Sequence, residues 1–190
     1  MNTPSHIAAG LLLFQKEEGR GPISAIVAGA VIPDLPMFGF YAYQKWMGRP
    51  EQEIWGKLYF DPSWQLFFDI FNSIPLFLIL LLTCYLTGFR VGVLLAGSAL
   101  LHLACDFPVH HDDAHRHFLP LTNWRFASPV SYWDPRHFGV YFAIGELLFA
   151  ISACGYVGWN TSSQSMRVAA FGTLSLYAVG ILFAIFVWIL

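Results

Sequence analysis

The chain has 190 residues, a length that suits one domain, and a net charge of −2, which excludes a basic surface for nucleic acid. Charged residues are only 12%, against about 25% in soluble domains, while 56% are hydrophobic and the mean hydropathy is +0.55. An ordinary water-soluble domain is therefore excluded, and lipid is the expected solvent for much of the surface. Cys84, Cys105 and Cys154 each lie in an apolar segment without C-x-x-C spacing, so no disulfide framework is expected. Nor is a cleavable signal peptide: residues 7–14 are apolar but short, with nothing basic before them.

In chain order, residues 5–14 predict a short helix with Ser5 as N-cap, too short to cross a core of about 30 Å and so a half-span or an interfacial helix. Residues 22–43 predict a first span, interrupted by Pro33-Asp34-Leu35-Pro36. Such breaks are tolerated where protein or a wet cavity satisfies the freed backbone. Residues 44–63, rich in Trp, Lys and Arg, read as an interfacial loop. Residues 64–86 predict a second span, with Asp69, Asn72 and Ser73 at i, i+3 and i+4 on one face. Residues 91–107 predict a short third span ended by Pro108. Residues 108–137 form a long polar loop, 138–159 a fourth span carrying Glu146, and 169–190 a fifth with no ionisable residue. The expected fold is all-α: a single polytopic membrane domain over 1–190, with about five transmembrane helices and the short N-terminal helix.

The chemistry concentrates in residues 100–117, LLHLACDFPVHHDDAHRH, which hold five of the seven histidines. If successive spans alternate, the 44–63 and 108–137 loops share one membrane face. His6, Asp69, His102 and Asp106 then lie near that face, with Asp34 and Glu146 deeper. Basic residues do not orient the chain, because that face has more of them and the opposite face has shorter loops.

Ionisable residues inside a membrane are functional candidates by default. His102 and Asp106, at i, i+4, aim an imidazole nitrogen and a carboxylate oxygen at one point. His6, Asp34, His110 and His111 are the further candidate metal ligands. Such donors suit Zn, with Mn or Fe as alternatives, better than Ca or Mg. Three or four protein ligands and one open position would acidify a water for hydrolysis. Asp69 or Glu146 could then act as a base, orient the ligands or hold a second ion. The bland readings are a hydrogen-bonded packing pair for His102 and Asp106, helix capping for Asp34 and Asp69, a protonated glutamic acid bonded to a neighbouring helix for Glu146, and a solvated surface for the loop histidines.

The ordered set His6, Pro33-Asp34, Asn72-Ser73 and His102-x-x-x-Asp106 resembles the membrane-bound metal-dependent hydrolases, a bacterial family that includes members under LexA control and whose motifs are similar to those of zinc-dependent phospholipase C. The resemblance covers roughly residues 5–110. It implies metal-assisted hydrolysis, a phospholipid or other phosphoester substrate and the bacterial inner membrane. Three positions depart from the pattern: Asn72 stands for the histidine of the family's His-Ser, Phe67-Phe68 for a His-Arg pair, and Pro36 for the second Asp of Pro-Asp-x-Asp. Two rival readings follow from the same residues. One is a transporter or metal-handling protein, with a broken helix and midplane carboxylates. The other is a family member that has lost catalysis and acts as a membrane assembly subunit.

Overall fold

The computed structural model describes residues 1–188, with side-chain surroundings as far as Leu182. Nine α-helices, with no strand among the described residues, build the fold: α1 (Thr3–Leu13), α2 (Arg20–Val31), α3 (Leu35–Trp46), α4 (Glu51–Gly56), α5 (Pro62–Phe71), α6 (Ile74–Leu86), α7 (Arg90–Asp106), α8 (Gly139–Asn160) and α9 (Gln164–Trp188). Four runs are long and apolar enough to cross a membrane: Arg20–Trp46, Pro62–Leu86, Gly139–Asn160 and Gln164–Leu182. The expected third span is α7, at 17 residues roughly 25 Å long. Residues 189 and 190 of the expected fifth span lie outside the described residues.

Helix α1 is the axis of the bundle. It begins at Thr3 rather than at Ser5, because Pro4 fits the first turn, where no intrahelical donor is needed. Ser5 is consequently inside the helix. Residues Ser5 to Leu11 are all buried, against α2, α7, α8 and α9, so α1 is an enclosed half-span and not an interfacial helix. The core around it holds Ile7, Leu11, Ile26, Ala150 and Met166.

Helices α2 and α7 make the tightest crossing. A Cβ at Gly29 would lie 2.1 Å from the Leu95 carbonyl oxygen, so only glycine fits there. Ser98 Oγ donates to the Ile26 carbonyl at 2.7 Å in the same crossing. One turn further along α7, this contact delivers His102 to the end of α2.

Both long N-terminal runs break at the same level of the bundle. Pro33 has no N–H for the helical ladder, and residues Ile32–Asp34 tighten into a 3₁₀ turn before α3 resumes. The second break falls at Asn72-Ser73 and corrects the expectation of one helix over 64–86. Pro75 cannot continue the ladder of α5, and Ser73 starts α6 by accepting from Leu76 N at 3.3 Å. Asp69, Asn72 and Ser73 therefore do not share one continuous helix face. Beyond the breaks, α3, α4 and α5 pack on a separate aromatic cluster of Phe40, Ile54, Tyr59 and Phe68. Residues 107–138 are largely irregular and dock onto the second break: Ile74 N donates to the His117 carbonyl at 2.8 Å and Ser73 Oγ to that of Leu119 at 2.5 Å.

Candidate metal centre

Three side chains from the buried ends of α1 and α7 converge. His6, His102 and Asp106 each offer one ligand atom within 4.8 Å of the others, and all three are buried. The chain thus carries a buried His/His/Asp cluster able to coordinate a metal ion, inside a bundle of long apolar helices. His6 Nε2 is 2.9 Å from Asp106 Oδ1, and His102 Nε2 is 3.0 Å from Asp106 Oδ2. The two imidazoles are stacked, centroids 3.5 Å apart. The Met1 nitrogen also donates to Asp106.

The tautomer of His102 follows from its other nitrogen. Nδ1 is 2.7 Å from the Ala30 carbonyl, which can only accept, so Nδ1 carries the hydrogen. Nε2 is thereby turned to a carboxylate oxygen, and when the ring is neutral it presents a lone pair there. Neither His102 Nε2 nor His6 Nε2 makes an aligned hydrogen bond, although both are buried. Two lone pairs facing each other require a positive charge between them, which a proton or a metal ion can supply. A histidine anchored through Nδ1 on a carbonyl, with Nε2 free, is the usual arrangement of a metal-binding imidazole.

Two further expected ligands flank this group. Asp34 sits in the 3₁₀ turn with Oδ1 3.6 Å from His102 Nε2, its other oxygen accepting from Thr3 Oγ1 at 2.5 Å. His110 Nε2 is 3.5 Å from Asp106 Oδ1 and unpartnered, while its Nδ1 is 2.9 Å from Asp113 Oδ2. Burial would lower the His110 pKa, but the Asp106 and Asp113 carboxylates override it and raise it to about 9.

The remaining candidates are placed elsewhere. His111 is held by the Ser128 carbonyl at 2.6 Å and stacks on His137. Glu146 accepts from Asn2 N at 2.5 Å and Asn2 Nδ2 at 3.0 Å, fastening the start of α1 to α8. Asp69 is fully buried and accepts from Arg116 N at 2.9 Å, Arg116 Nε and Arg125 Nη2 at 3.2 Å. Asn72, Phe67 and Pro36, where the sequence departs from the motifs it resembles, lie in different surroundings. Asn72 bridges the two breaks, donating to the carbonyls of Pro33 at 3.3 Å and Phe68 at 3.0 Å. Phe67 is exposed on α5, and Pro36 is buried in the first turn of α3.

Sequence reasoning missed Asp113, Thr3 and the Ala30 carbonyl. Asp113 had a local signal, since it lies three residues after His110 and a carboxylate in reach of a histidine orients it. The other two had none, because they meet the site only through tertiary packing. The cluster borders a cavity of about 640 Å³ whose polar lining includes Asp34, Asn72, Asp106, His110 and His115. No family model, curated protein or solved structure matches the chain.

Proposed function

We propose that the chain is a membrane-embedded metal-dependent hydrolase of phosphoesters. The observation that supports it most is the buried pair of imidazole Nε2 atoms, His6 and His102, that meet the two oxygens of Asp106 without hydrogen-bond alignment. His6, His102 and Asp106 would hold the ion, with Asp34 and His110 within reach as further ligands. Two histidines and one carboxylate leave positions open for water and substrate, as catalytic sites do and closed structural sites do not. A divalent cation there supplies Lewis-acid chemistry toward a phosphoryl oxygen and an acidified water. Ala30 fixes the His102 ring, and Asp113 fixes that of His110. Asp34, at the rim of the cavity, is the carboxylate of the set with the most solvent access and can accept a proton there. The resemblance to the membrane-bound metal-dependent hydrolases agrees with this reading, as does zinc as the ion.

A transported ion would need a polar path past the cluster. Towards the opposite membrane face, the core around α1, α2 and α7 is closed by Ala8, Leu11, Ile26 and Ala96, all at 0% exposure. That favours a hydrolase open to one side.

The test is metal content and turnover of the purified, tag-free protein in detergent. About one Zn, Mn or Fe per chain, with hydrolysis of p-nitrophenyl phosphate or a phosphatidylcholine micelle that disappears in His102→Ala, supports the reading. A metal-replete wild type that binds no ion ends it.

A further inference from the structure

A second, larger space lies beside the cavity at the candidate metal centre. A groove of about 870 Å³ runs between α2 and α9, and Val31 lines both. On α2 the groove passes Ser24, Val27, Ala28 and Val31; on α9 it passes Ser165, Val168 and Ala169. The α9 wall of the metal cavity is Leu176, Val179 and Gly180. These α9 positions recur every three or four residues, so they form one stripe on the helix. Gly172 lines neither space but falls between the two sets on that stripe, and a Cβ there would meet nothing within 4 Å. The stripe from Ser165 to Gly180 is roughly 22 Å long at 1.5 Å per residue. One leaflet's hydrocarbon is about 15 Å deep.

The two spaces together have the polarity of an amphiphile. One end holds Asp34, Asp106 and His110; from Val31 onward the walls are apolar over most of their length. We propose that the α2–α9 groove takes one acyl chain of a lipid whose headgroup phosphoester lies at His6, His102 and Asp106. This rests on the hydrolase reading above and names its substrate class. The substrate enters sideways from the membrane between α2 and α9, headgroup towards the cluster and chain towards Arg20. Where the chain runs, α9 presents glycine at 172 and 180.

The probe is a phosphatidic acid with a diazirine at the end of one palmitoyl chain, photolysed with the metal-loaded protein in mixed micelles. Labelling should concentrate on residues 24–28 and 165–169 and be competed by unlabelled long-chain lipid. Gly172→Leu should cut it at least fivefold, while Gly172→Ala labels like wild type and both keep wild-type metal content. Turnover of dipalmitoyl phosphatidylcholine should fall at least tenfold in Gly172→Leu, with turnover of p-nitrophenyl phosphate within twofold of wild type. Labelling spread over the outer face of α6, or centred on Val31 and Leu176 as for a lipid seated the other way round, overturns the proposal. Turnover of p-nitrophenyl phosphate without groove labelling removes the groove and leaves the hydrolase. Selective groove labelling in a protein that hydrolyses neither ester removes the lipid as substrate together with the hydrolase, leaving only a lipid site.

Discussion

Two buried carboxylates in this protein are equally withdrawn from water and oppositely supplied. Asp69 has 0% side-chain exposure and Asp106 4%. Around Asp69 the donors are Arg116 and Arg125, permanently charged and hydrogen-bonded to it. Around Asp106, apart from the Met1 nitrogen, stand imidazoles: His6, His102 and His110, of which His102 is anchored through Nδ1 so that Nε2 faces inward. A buried carboxylate is costly unless its charge is balanced. Asp69 is balanced by cationic side chains that arrive with the 107–138 loop, and it thereby pins that loop to α5. Asp106 is set among imidazoles, two of which meet its oxygens through Nε2, where a metal cation can take the place of a proton. The same residue type thus closes one region and opens the other, and the difference lies in the neighbours' chemistry rather than in burial.

Asp106→Asn should break the open region outright. The amide keeps the shape but removes the charge, and metal content should fall from about one ion per chain to under a tenth, with the protein still folded. Elemental analysis beside a melting curve in detergent decides it; retained metal would mean that Asp106 is not a ligand. Asp69→Asn should do the reverse. Metal stays, and the fold loses about 3 kcal/mol, the lower end for breaking a buried ion pair, since the arginines are 20% and 35% exposed and partly resolvated. Metal loss at an unchanged melting temperature would reverse the comparison and place Asp69 in the centre.

Acid should act first on the closed region. His117 is tied to the Asn72 carbonyl through Nδ1 at 3.0 Å. Burial, with His115 alongside, lowers its pKa from 6.5 to about 4. The folded state therefore keeps His117 neutral while the unfolded chain protonates it below about 6.5. Its contribution is intact above that pH and is lost as pH falls from about 6.5 to about 4, up to about 3 kcal/mol. His117→Asn, which can still donate to the Asn72 carbonyl, should flatten the melting temperature across that window. An equally steep decline in the variant would put the acid sensitivity elsewhere.

How far the sequence carried differs between these regions. The helical runs were legible because apolar stretches bounded by Gly, Pro and charge leave few alternatives. His102 with Asp106 was legible because i, i+4 is a local relation. His6 and Asp34 required an assumed alternation of spans, which α1 buried beside α2 and α7 accommodates. The break at Asn72-Ser73 was passed over because the flanking residues are mostly apolar, although Ser73 and Pro75 spell a helix start. The pairing of Asp69 with Arg116 and Arg125 was not legible at all. Those partners are 47 and 56 residues away, and a loop without periodicity gives no register from which to place them.

Asp113 sits where the two regions meet, and its removal should have the smallest effect of the four. It belongs to the loop, accepts from Trp133 Nε1 at 3.1 Å, and holds His110 Nδ1 at 2.9 Å so that Nε2 turns towards Asp106. A carboxylate that orients a ligand histidine typically contributes 10–100-fold in metal affinity, or about 1.4–2.7 kcal/mol. Asp113→Ala should weaken binding by that factor in a competitive chelator titration without abolishing it, because His6, His102 and Asp106 are untouched. The size of the change separates two roles for His110. An unchanged affinity would leave His110 lining the cavity without touching the ion, and the centre would then be the three-residue group alone. A loss as complete as that of Asp106→Asn would mean that the loop supplies an indispensable ligand, so that the arginine-pinned region does more than cover the site. The intermediate result is the expected one: α1 and α7 hold the ion, and the loop, fixed in place by Asp69, presents one further imidazole to it.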